Sequence, residues 1–471
     1  MFPGWHMRRL ARVALLAAVN GAFGCIGAKS SFDTVPSPLP ESVAVRGSVA
    51  KPPARFTGPV VPASAENLAT PQASSPTGID DFIQLAITKN PRISRAMIAI
   101  DSAQGQYIQV GLYPNPELAV MWDEIGDRTG NGILTVPKIT QTIVTGKKLA
   151  LSQAVAAKAV DQATLDLIGE RYAVVGSVRA GFFETLALQQ RIEILTELSR
   201  LSEESVKDGK TLLDNKRIAR LDYIQLEVER ERFQAERDAA TKELPAALRR
   251  LAATTGENAL AISSVSGSLD GLPAYDLEQI RTVVLATHPE VRSAKVAVDR
   301  AQAAVRRAEV DPIPNVSVYG GFIRQFENKS YDGAAGVSML IPVWNRNQGN
   351  IRSAKAELGM AVFKVGQVEN ELASRVATSF QTYAAARERA ERFRREIIPR
   401  AEETYKLSLE AFKGGQFEYL RVIAAQRVIA EARLEMNKSL SEAWKAAGEL
   451  SGMLLEEVWP GPPQMVPPKQ P

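Results

Sequence analysis

The sequence predicts a mainly α-helical protein with a minor membrane-type β component, built as two copies of one unit: helix, strand, strand, long helix, shorter helix. Three observations predict this. The proline pairs Pro114/Pro116 and Pro312/Pro314 lie 198 positions apart, and each separates a helical run from an alternating one. Proline ends helices and biases its predecessor towards extended backbone, so the chain makes the same helix-to-strand exit twice. Each exit leads through two strand-like runs into a very long helical stretch, about Gly146–Leu213 and Arg346–Lys413. Phe183-Glu-Thr185 recurs as Phe380-Gln-Thr382 inside those stretches.

Each element has a local reason. The units open with two helical pieces divided by an X-Pro pair, Asn90-Pro91 and His288-Pro289. Asn and His suit a helix boundary and proline suits the first position of the next helix, so His288 reads as a boundary residue and not as a metal ligand. In the strand region of the first unit, about 116–142, Leu118, Val120 and Trp122 alternate with Glu117, Ala119, Met121 and Asp123. The turn-rich Gly126–Gly132 and a run from Ile133 follow. In the second, about 315–343, Val316, Val318, Gly320 and Phe322 share a face; a loop over Gln325–Gly333 then leads to Ala335–Val343, where Val337, Met339 and Ile341 share another. Period-two runs of about ten residues with loops between them are the signature of membrane barrel strands.

The long helical runs would each extend roughly 100 Å at 1.5 Å per residue. They are rich in Ala, Glu, Arg, Leu and Gln, and small residues such as Ala154, Ala156, Ala157 and Ala159 permit close helix approach. Pro399 predicts a kink in the second. A break and a shorter helix end each unit, Ala219–Thr254 and Phe417–Met453, and Asp222-Tyr223 aligns with Glu418-Tyr419. Gly414 and Gly415 read as helix terminators that permit left-handed backbone. Asp222 and Glu418 read as carboxylates at the positive end of a helix; three copies of them at a narrow entrance would also favour cations.

The two units occupy 79–256 and 276–455, with a linker at 257–275. Residues 1–24 have the outline of a secretory signal peptide, with Arg8, Arg9 and Arg12 before the apolar run Val13–Val19. Cys25, after Ala22-Phe23-Gly24, is the expected lipidation site, with Ala22 and Phe23 departing from the usual bacterial pattern. A Pro-rich leader (25–78) and a Pro-rich tail (456–471) complete the chain; the stretch Trp459–Pro471 reads as flexible.

Composition excludes several classes. A net charge of +4 over 471 residues, with cations scattered among carboxylates, describes solvated helix faces and no nucleic-acid patch. One cysteine and two histidines, His6 and His288, exclude a disulfide framework and a cysteine metal cluster. No phosphate loop or nucleophile–base motif occurs, so neither an enzyme nor a cofactor is expected. Four strands cannot close a barrel, whereas three chains supply twelve. The inference from geometry is a homotrimeric tube, partly in a membrane and partly in water, with Trp122 and Trp344 as candidate interfacial anchors.

Gly111-Leu-Tyr-Pro-Asn-Pro-Glu-Leu118, Thr145-Gly-Lys-Lys148, Ile341-Pro-Val-Trp-Asn-Arg-Asn-Gln-Gly349, Phe412–Leu420 and Gln426-Arg427 resemble the TolC superfamily of outer membrane factors, and within it the CzcC-type branch attached to heavy-metal RND pumps. The likeness covers roughly 79–455. It implies a twelve-stranded outer membrane barrel continuous with a periplasmic helical barrel, in a Gram-negative cell. It also implies a periplasmic adaptor (membrane fusion protein) and an inner membrane RND pump as partners, and passive export, with heavy-metal cations as the cargo expected. Tips at Lys207–Asp222 and Glu410–Tyr419 would meet the adaptor and close the channel. Arg220-Leu221-Asp222 resembles the Arg-Leu-Ser/Thr contact motif of the family with Asp in third place; Gly414, Gly415, Glu418 and Tyr419 lack that motif. The alternatives are export of drugs or other small organic molecules, a polypeptide conduit, a periplasmic adaptor with a single hairpin, or a structural coiled coil.

Overall fold

The computed structural model describes residues 78–123, 133–416, 418–457 and 459, all within one compact unit, Pro71–Pro471. The signal peptide, Cys25, the leader, the Gly126–Gly132 turn and the tail beyond Trp459 lie outside the described residues. The first repeat comprises α1 (Ile79–Lys89), α2 (Pro91–Gln109), β1 (Glu117–Asp123), β2 (Ile133–Ile143), α3 (Lys148–Asp214) and α4 (Arg220–Thr255). The second comprises α5 (Leu277–Thr287), α6 (Pro289–Glu309), β3 (Val316–Gln325), β4 (Tyr331–Met339), α7 (Gln348–Arg392), a π turn (Phe393–Ile397), α8 (Ile398–Lys413) and α9 (Tyr419–Met453). The duplication is therefore structural, element for element.

Matching devices start matching elements. Asn90 caps α2 by accepting from the Arg92 N–H at 2.9 Å, and His288 caps α6 through Nδ1 from the Glu290 N–H at 3.3 Å. Both precede a proline at the first helical position, where the missing N–H costs nothing. Lys147 (φ 55°) and Asn347 (φ 61°) occupy left-handed backbone immediately before α3 and α7. The helices differ in one respect: α3 runs unbroken for 67 residues, whereas its counterpart contains the π turn just before Pro399. Pro399 can neither donate to residue 395 nor tolerate its carbonyl close by, and the wider π turn accommodates this misfit within the continuing helix. α4 also carries an internal proline, Pro245.

The core is a belt midway along the long helices. α3 packs on α2, α4, α6 and α9, and α7 on α5, α6 and α9. Glycines set the α3–α9 distance: a Cβ on Gly448 would stand 2.9 Å from the Ala180 nitrogen, and one on Gly452 3.0 Å from the Tyr172 carbonyl. Close backbone approach between α3 and α9 thus falls at Gly176, Ala180, Gly448 and Gly452. Beside this contact Phe183 stacks on Trp444, with centroids 4.0 Å apart and planes 3° apart. Trp459 meets both rings edge-on at 5.6 and 5.5 Å.

Trp459 is only 6% exposed, so it is core and not the start of a free tail. Residues 454–457 and Trp459 form a strap that Arg179 holds in place. This guanidinium, 1% exposed, donates to the Glu456 carbonyl at 2.9 Å, the Glu457 carbonyl at 3.3 Å and Ser451 Oγ at 3.0 Å, and lies over the Trp459 ring. Burial lowers its pKa and raises those of Tyr275 and Glu456. Their hydroxyl and carboxylate share a 3.0 Å hydrogen bond, and Trp459 Nε1 donates to the Tyr275 hydroxyl at 2.7 Å. Trp459→Ala should cost about 3–5 kcal/mol, because the cavity opens against two buried aromatics. Ending the chain after Trp459 should cost little. Thermal melting of both variants in detergent checks the contrast.

Candidate functional site

The sheet, the wall of the helical arc and the two hairpin tips are the three surfaces on which a channel could act. The sheet has the order β1-β2-β3-β4, all antiparallel. Its register gives the two faces opposite chemistry. Leu118 lies opposite Ile139, which lies opposite Gly320; Trp122 lies opposite Leu134; Ile143 opposite Val316, and Val316 opposite Met339. With Val120, Val318, Phe322 and Val337 these make one face mostly apolar and largely exposed, interrupted by Gln141 opposite Val318 and Arg324 opposite Leu134. The other face carries Glu117, Asp123, Thr140, Thr142, Ser317, Tyr319, Asp332 and Ser338. A sheet with one lipid-compatible face and one wettable face is what a barrel wall requires.

One residue breaks the alternation. Pro137 lies in β2, a central strand, where a proline cannot donate to a ladder. Both ladders of β2 shift between Thr135 and Lys138. The shift is a bulge that houses Pro137 and returns Lys138 and Ile139 to their proper faces. Gly321 sits across from it, where a Cβ would meet the Pro137 carbonyl at 2.7 Å.

The two proline junctions fall between α2 and β1 and between α6 and β3, but their four prolines are not equivalent. Pro116 is the correction. The strand region expected from the sequence opens on Pro116, whereas β1 starts one residue later, at Glu117 opposite Thr140. With no N–H to give a ladder, Pro116 stands exposed just outside the strand; its effect is to hold Asn115 away from helical backbone. Pro114 is exposed as well, yet its carbonyl accepts from Gln141 Nε2 of β2 at 3.0 Å. The second strand region likewise opens at Val316, one residue after the expected 315. Its prolines, Pro312 and Pro314, are half-buried.

That second junction is cradled by the start of the first repeat's long helix. Thr145 donates its N–H to Asn315 Oδ1 at 3.4 Å and its hydroxyl to the Pro314 carbonyl, and Lys148 Nζ donates to Asn315 Oδ1 at 3.1 Å. Leu112 and Tyr113 of the first junction are exposed, and Trp344, at 89% exposure, has no core role within the protomer. β4 ends at Met339, four residues before the expected Val343, and begins at Tyr331, four before Ala335. The end has a plain cause: β3 starts at Val316, opposite Met339, so Leu340–Val343 have no strand to pair with in one chain.

Below the sheet, α3, α4, α6, α7 and α9 enclose a groove of about 710 Å³. Its floor on α3 is small: Gly169, Ala173, Gly176, Ser177, Ala180 and Gly181. Its charges are paired across helices, Arg250 with Glu184 at 3.2 Å and Arg375 with Glu290. His288 lines the same groove. Among the described residues no group of His, Cys, Asp or Glu is arranged to hold a metal ion.

The two tips are built alike. α3 ends with Arg217 N–H donating to the Leu212 carbonyl at 2.8 Å, α8 with Gln416 N–H donating to Ala411 at 2.9 Å. Each closure turns on a left-handed residue, Lys216 (φ 55°) and Gly415 (φ 70°). Gly414 has φ −76° and needs no glycine there, so only Gly415 serves as the expected left-handed terminator. Asp222 accepts from the Ala219 N–H at 3.1 Å, the expected local role at a helix start. Glu418 precedes α9 with no capping bond from its side chain. The structural partner of Glu418 is thus Ala219, the residue at the same boundary of α4, and the sequence match with Asp222 is out of step by three residues. Arg220 starts α4 and Leu221 is exposed, continuing through Ile224 and Val228 as an apolar stripe.

Tyr419 packs on Phe412 at 4.9 Å, and burial and then the Asp208 carboxylate raise its pKa; the second hairpin also meets α3 through Ser205 Oγ, which donates to Gln426 Oε1 at 3.4 Å. A network above it ties the hairpins together: Arg232 to Glu431 at 3.5 Å and Arg427, from the Gln426-Arg427 motif, to Glu229 at 3.5 Å, between α4 and α9. These pairs join residues 199 and 198 positions apart, the spacing of the repeat itself, so each links corresponding positions of the two hairpins.

His288 generates a pH prediction. Burial lowers its pKa below the ordinary 6.5, the Glu290 carboxylate opposing and the Arg375 guanidinium assisting. The unfolded chain therefore takes up the proton first, so stability should fall as pH drops below about 6.5 and level off beneath the folded-state pKa. His288→Asn installs the cap that Asn90 uses in the first repeat and should remove this component. Melting temperatures of both proteins at pH 7.5 and 5.5 check it.

Comparison with known proteins agrees with this geometry. Residues 281–454, nearly the whole second repeat, match the family model of the outer membrane efflux protein. The cobalt-zinc-cadmium resistance protein CzcC of Cupriavidus metallidurans is 25% identical over 385 residues, 81% of this chain and 91% of that protein. Among solved structures, CusC superposes with a TM-score of 0.68 at 17% identity, covering 80% of this chain and 91% of that one. The outer membrane protein VceC of Vibrio cholerae superposes with 0.67 at 17%, covering 80% and 95%. The second repeat thus matches the outer membrane efflux family, the same plan recurs in the first repeat, and the fold over both is that of the solved channels.

Proposed function

We propose that three copies of this chain form the outer membrane duct of a tripartite efflux system whose cargo is heavy-metal cations. The observation that carries the duct is the four-stranded sheet, apolar on one face and unpaired at both edges, continuous with helices of about 100 Å. Three such sheets make twelve strands. Exposed apolar residues at opposite sides of the protomer, Met97, Ile98 and Ile108 on α2 and Met360, Val362 and Phe363 on α7, supply matching surfaces for a ring. The polar face of the sheet and the small-floored groove then line the passage. The tips, with Leu221, Ile224 and Val228 exposed beside Arg220, offer a helical stripe to a periplasmic adaptor; an inner membrane RND pump supplies the energy.

The cargo rests on the likeness to CzcC over both chains' lengths. The duct needs no metal site of its own, since ions pass through as substrate and selection belongs to the pump and adaptor. In the same reading residues 1–24 direct export and Cys25 carries the lipid anchor.

A susceptibility panel on a deletion strain tests the cargo. Hypersensitivity confined to divalent or monovalent metals supports metal efflux. Sensitivity to antibiotics, dyes and detergents with metals unaffected would assign the duct to organic export instead.

A further inference from the structure

We infer that the contact between the two repeats inside one chain is repeated between chains, and that it fixes the register in which β4 of one copy pairs with β1 of the next. The inference rests on the trimeric reading above and specifies its interface. Its template is visible in the fold. Inside the chain, the end of β2 pairs with the start of β3, Ile143 opposite Val316 and Gln141 opposite Val318, and Thr142 Oγ lies 3.2 Å from Ser317 Oγ. The loop after β2 holds the α6–β3 junction through Thr145 and Lys148.

The same parts recur with no partner. Lys147 and Asn347, the left-handed residues before α3 and α7, set a spacing of 200 positions for the end of β4. The proline pairs set one of 198 for the start of β1. Carried across, Ile143–Val316 becomes Val343 opposite Leu118 of a second copy, and Gln141–Val318 becomes Ile341 opposite Val120. Met339 falls opposite Trp122.

Two independent features agree with this register. Leu340–Val343 continue the side-chain alternation of β4 with no strand opposite them in the chain; in the single chain the Val343 N–H turns back to the Ile341 carbonyl at 3.0 Å around Pro342, a turn that opens when the strand is extended. All six residues so matched are apolar and exposed. The register also places them on the face that carries Ile139, Val316 and Val337, so the apolar band continues from copy to copy. A slip of one residue would turn Val343 and Ile341 to the polar side, which the band forbids. By the same correspondence Asn345 and Gln348 take the places of Thr145 and Lys148, and Glu117 that of Asn315, giving amide donors for a carboxylate acceptor across the seam.

Cysteine cross-linking tests the register. Ile341→Cys with Val120→Cys, and independently Val343→Cys with Leu118→Cys, are introduced into the full chain and treated in the membrane with an oxidant or a short bismaleimide. The expected result is a covalent trimer on a denaturing gel, absent from each single variant and from Pro342→Cys with Val120→Cys. The parent controls for Cys25. Trimers by native mass spectrometry with neither matched pair cross-linking, or with the shifted pair cross-linking as well, would overturn the register and leave the duct standing. Absence of any trimer, in the parent as in the variants, would overturn the trimeric reading and the register with it.

Discussion

In hydrocarbon, every backbone N–H and C=O without a partner costs several kcal/mol, and no water can substitute. That constraint organises this molecule. A four-stranded sheet satisfies its inner ladders and leaves β1 and β4 each with an open edge. An open edge with an apolar face is the least tolerable surface a protein can present to lipid or to other chains. The proposed association with further copies therefore has a cause in backbone chemistry before any side chain is considered. The side chains then decide which way the sheet faces, and Pro137 shows how strictly. A residue that cannot join the ladder is lodged in a bulge so that the alternation on either side survives. Pro116 meets the same constraint more simply, by standing outside the strand it precedes.

The helical part answers a different problem. Helices of about 100 Å cannot be held by their ends, and a uniform apolar seam would allow them to slide. The belt prevents sliding by shape and by polarity. Gly448 and Gly452 bring α9 against α3 at a distance no other residue permits, and Arg179 joins the α3–α9 pair to the strap at the chain's end. A buried guanidinium is costly unless its donors are met, so it fits one register of α9 against α3 and penalises the neighbouring ones. Below the belt fewer contacts are fixed in this way. α8 packs mainly on α9, and surface ion pairs such as Arg433–Glu402 contribute little each. The structure is thus stiffest at its middle and loosest towards the tips, where a gate would need freedom.

Much of this was legible in the sequence because the signals are local and occur twice. The proline exits, the Asn90 and His288 boundaries, the length of the helices and the alternation of β1 and β3 all depend on residues within a few positions. The larger failures share a cause, dependence on distant chain. β4 was expected to reach Val343, and its pattern does; pairing stops at Met339 because β3 begins at Val316. Asp222 and Glu418 were matched by residue type, whereas the helix boundaries match Glu418 with Ala219. Trp459 was grouped with a Pro-rich tail by composition, although Phe183 and Trp444, far away in sequence, bury it. Pro399 predicts a kink from its sequence position, and the structure absorbs it as a π turn over Phe393–Ile397 without breaking the helix.

The duplication also explains why the two tips need not be alike. Two repeats joined in one chain meet through a seam that is covalently tethered and forms as the chain folds. In the proposed trimer a second seam of similar geometry would form by association and would have to be specific at low concentration. Residues in the tethered seam can therefore be modest, a threonine and a lysine on an asparagine, whereas the associating seam carries exposed aromatic and aliphatic bulk at Tyr113, Trp344 and Phe363. The same freedom reaches the tips. Lys216 and Gly415 close equivalent turns with unequal ease, since a lysine in left-handed backbone is strained by roughly 1 kcal/mol relative to glycine. The Arg-Leu-Asp stretch occurs on the first hairpin alone, where Leu221, Ile224 and Val228 form a continuous exposed stripe against the separate Leu420 and Val428 of the second, while the π turn and Pro399 occur on the second. A duplicated chain can hence assign contact to one hairpin and movement to the other, a division that two identical hairpins could not make.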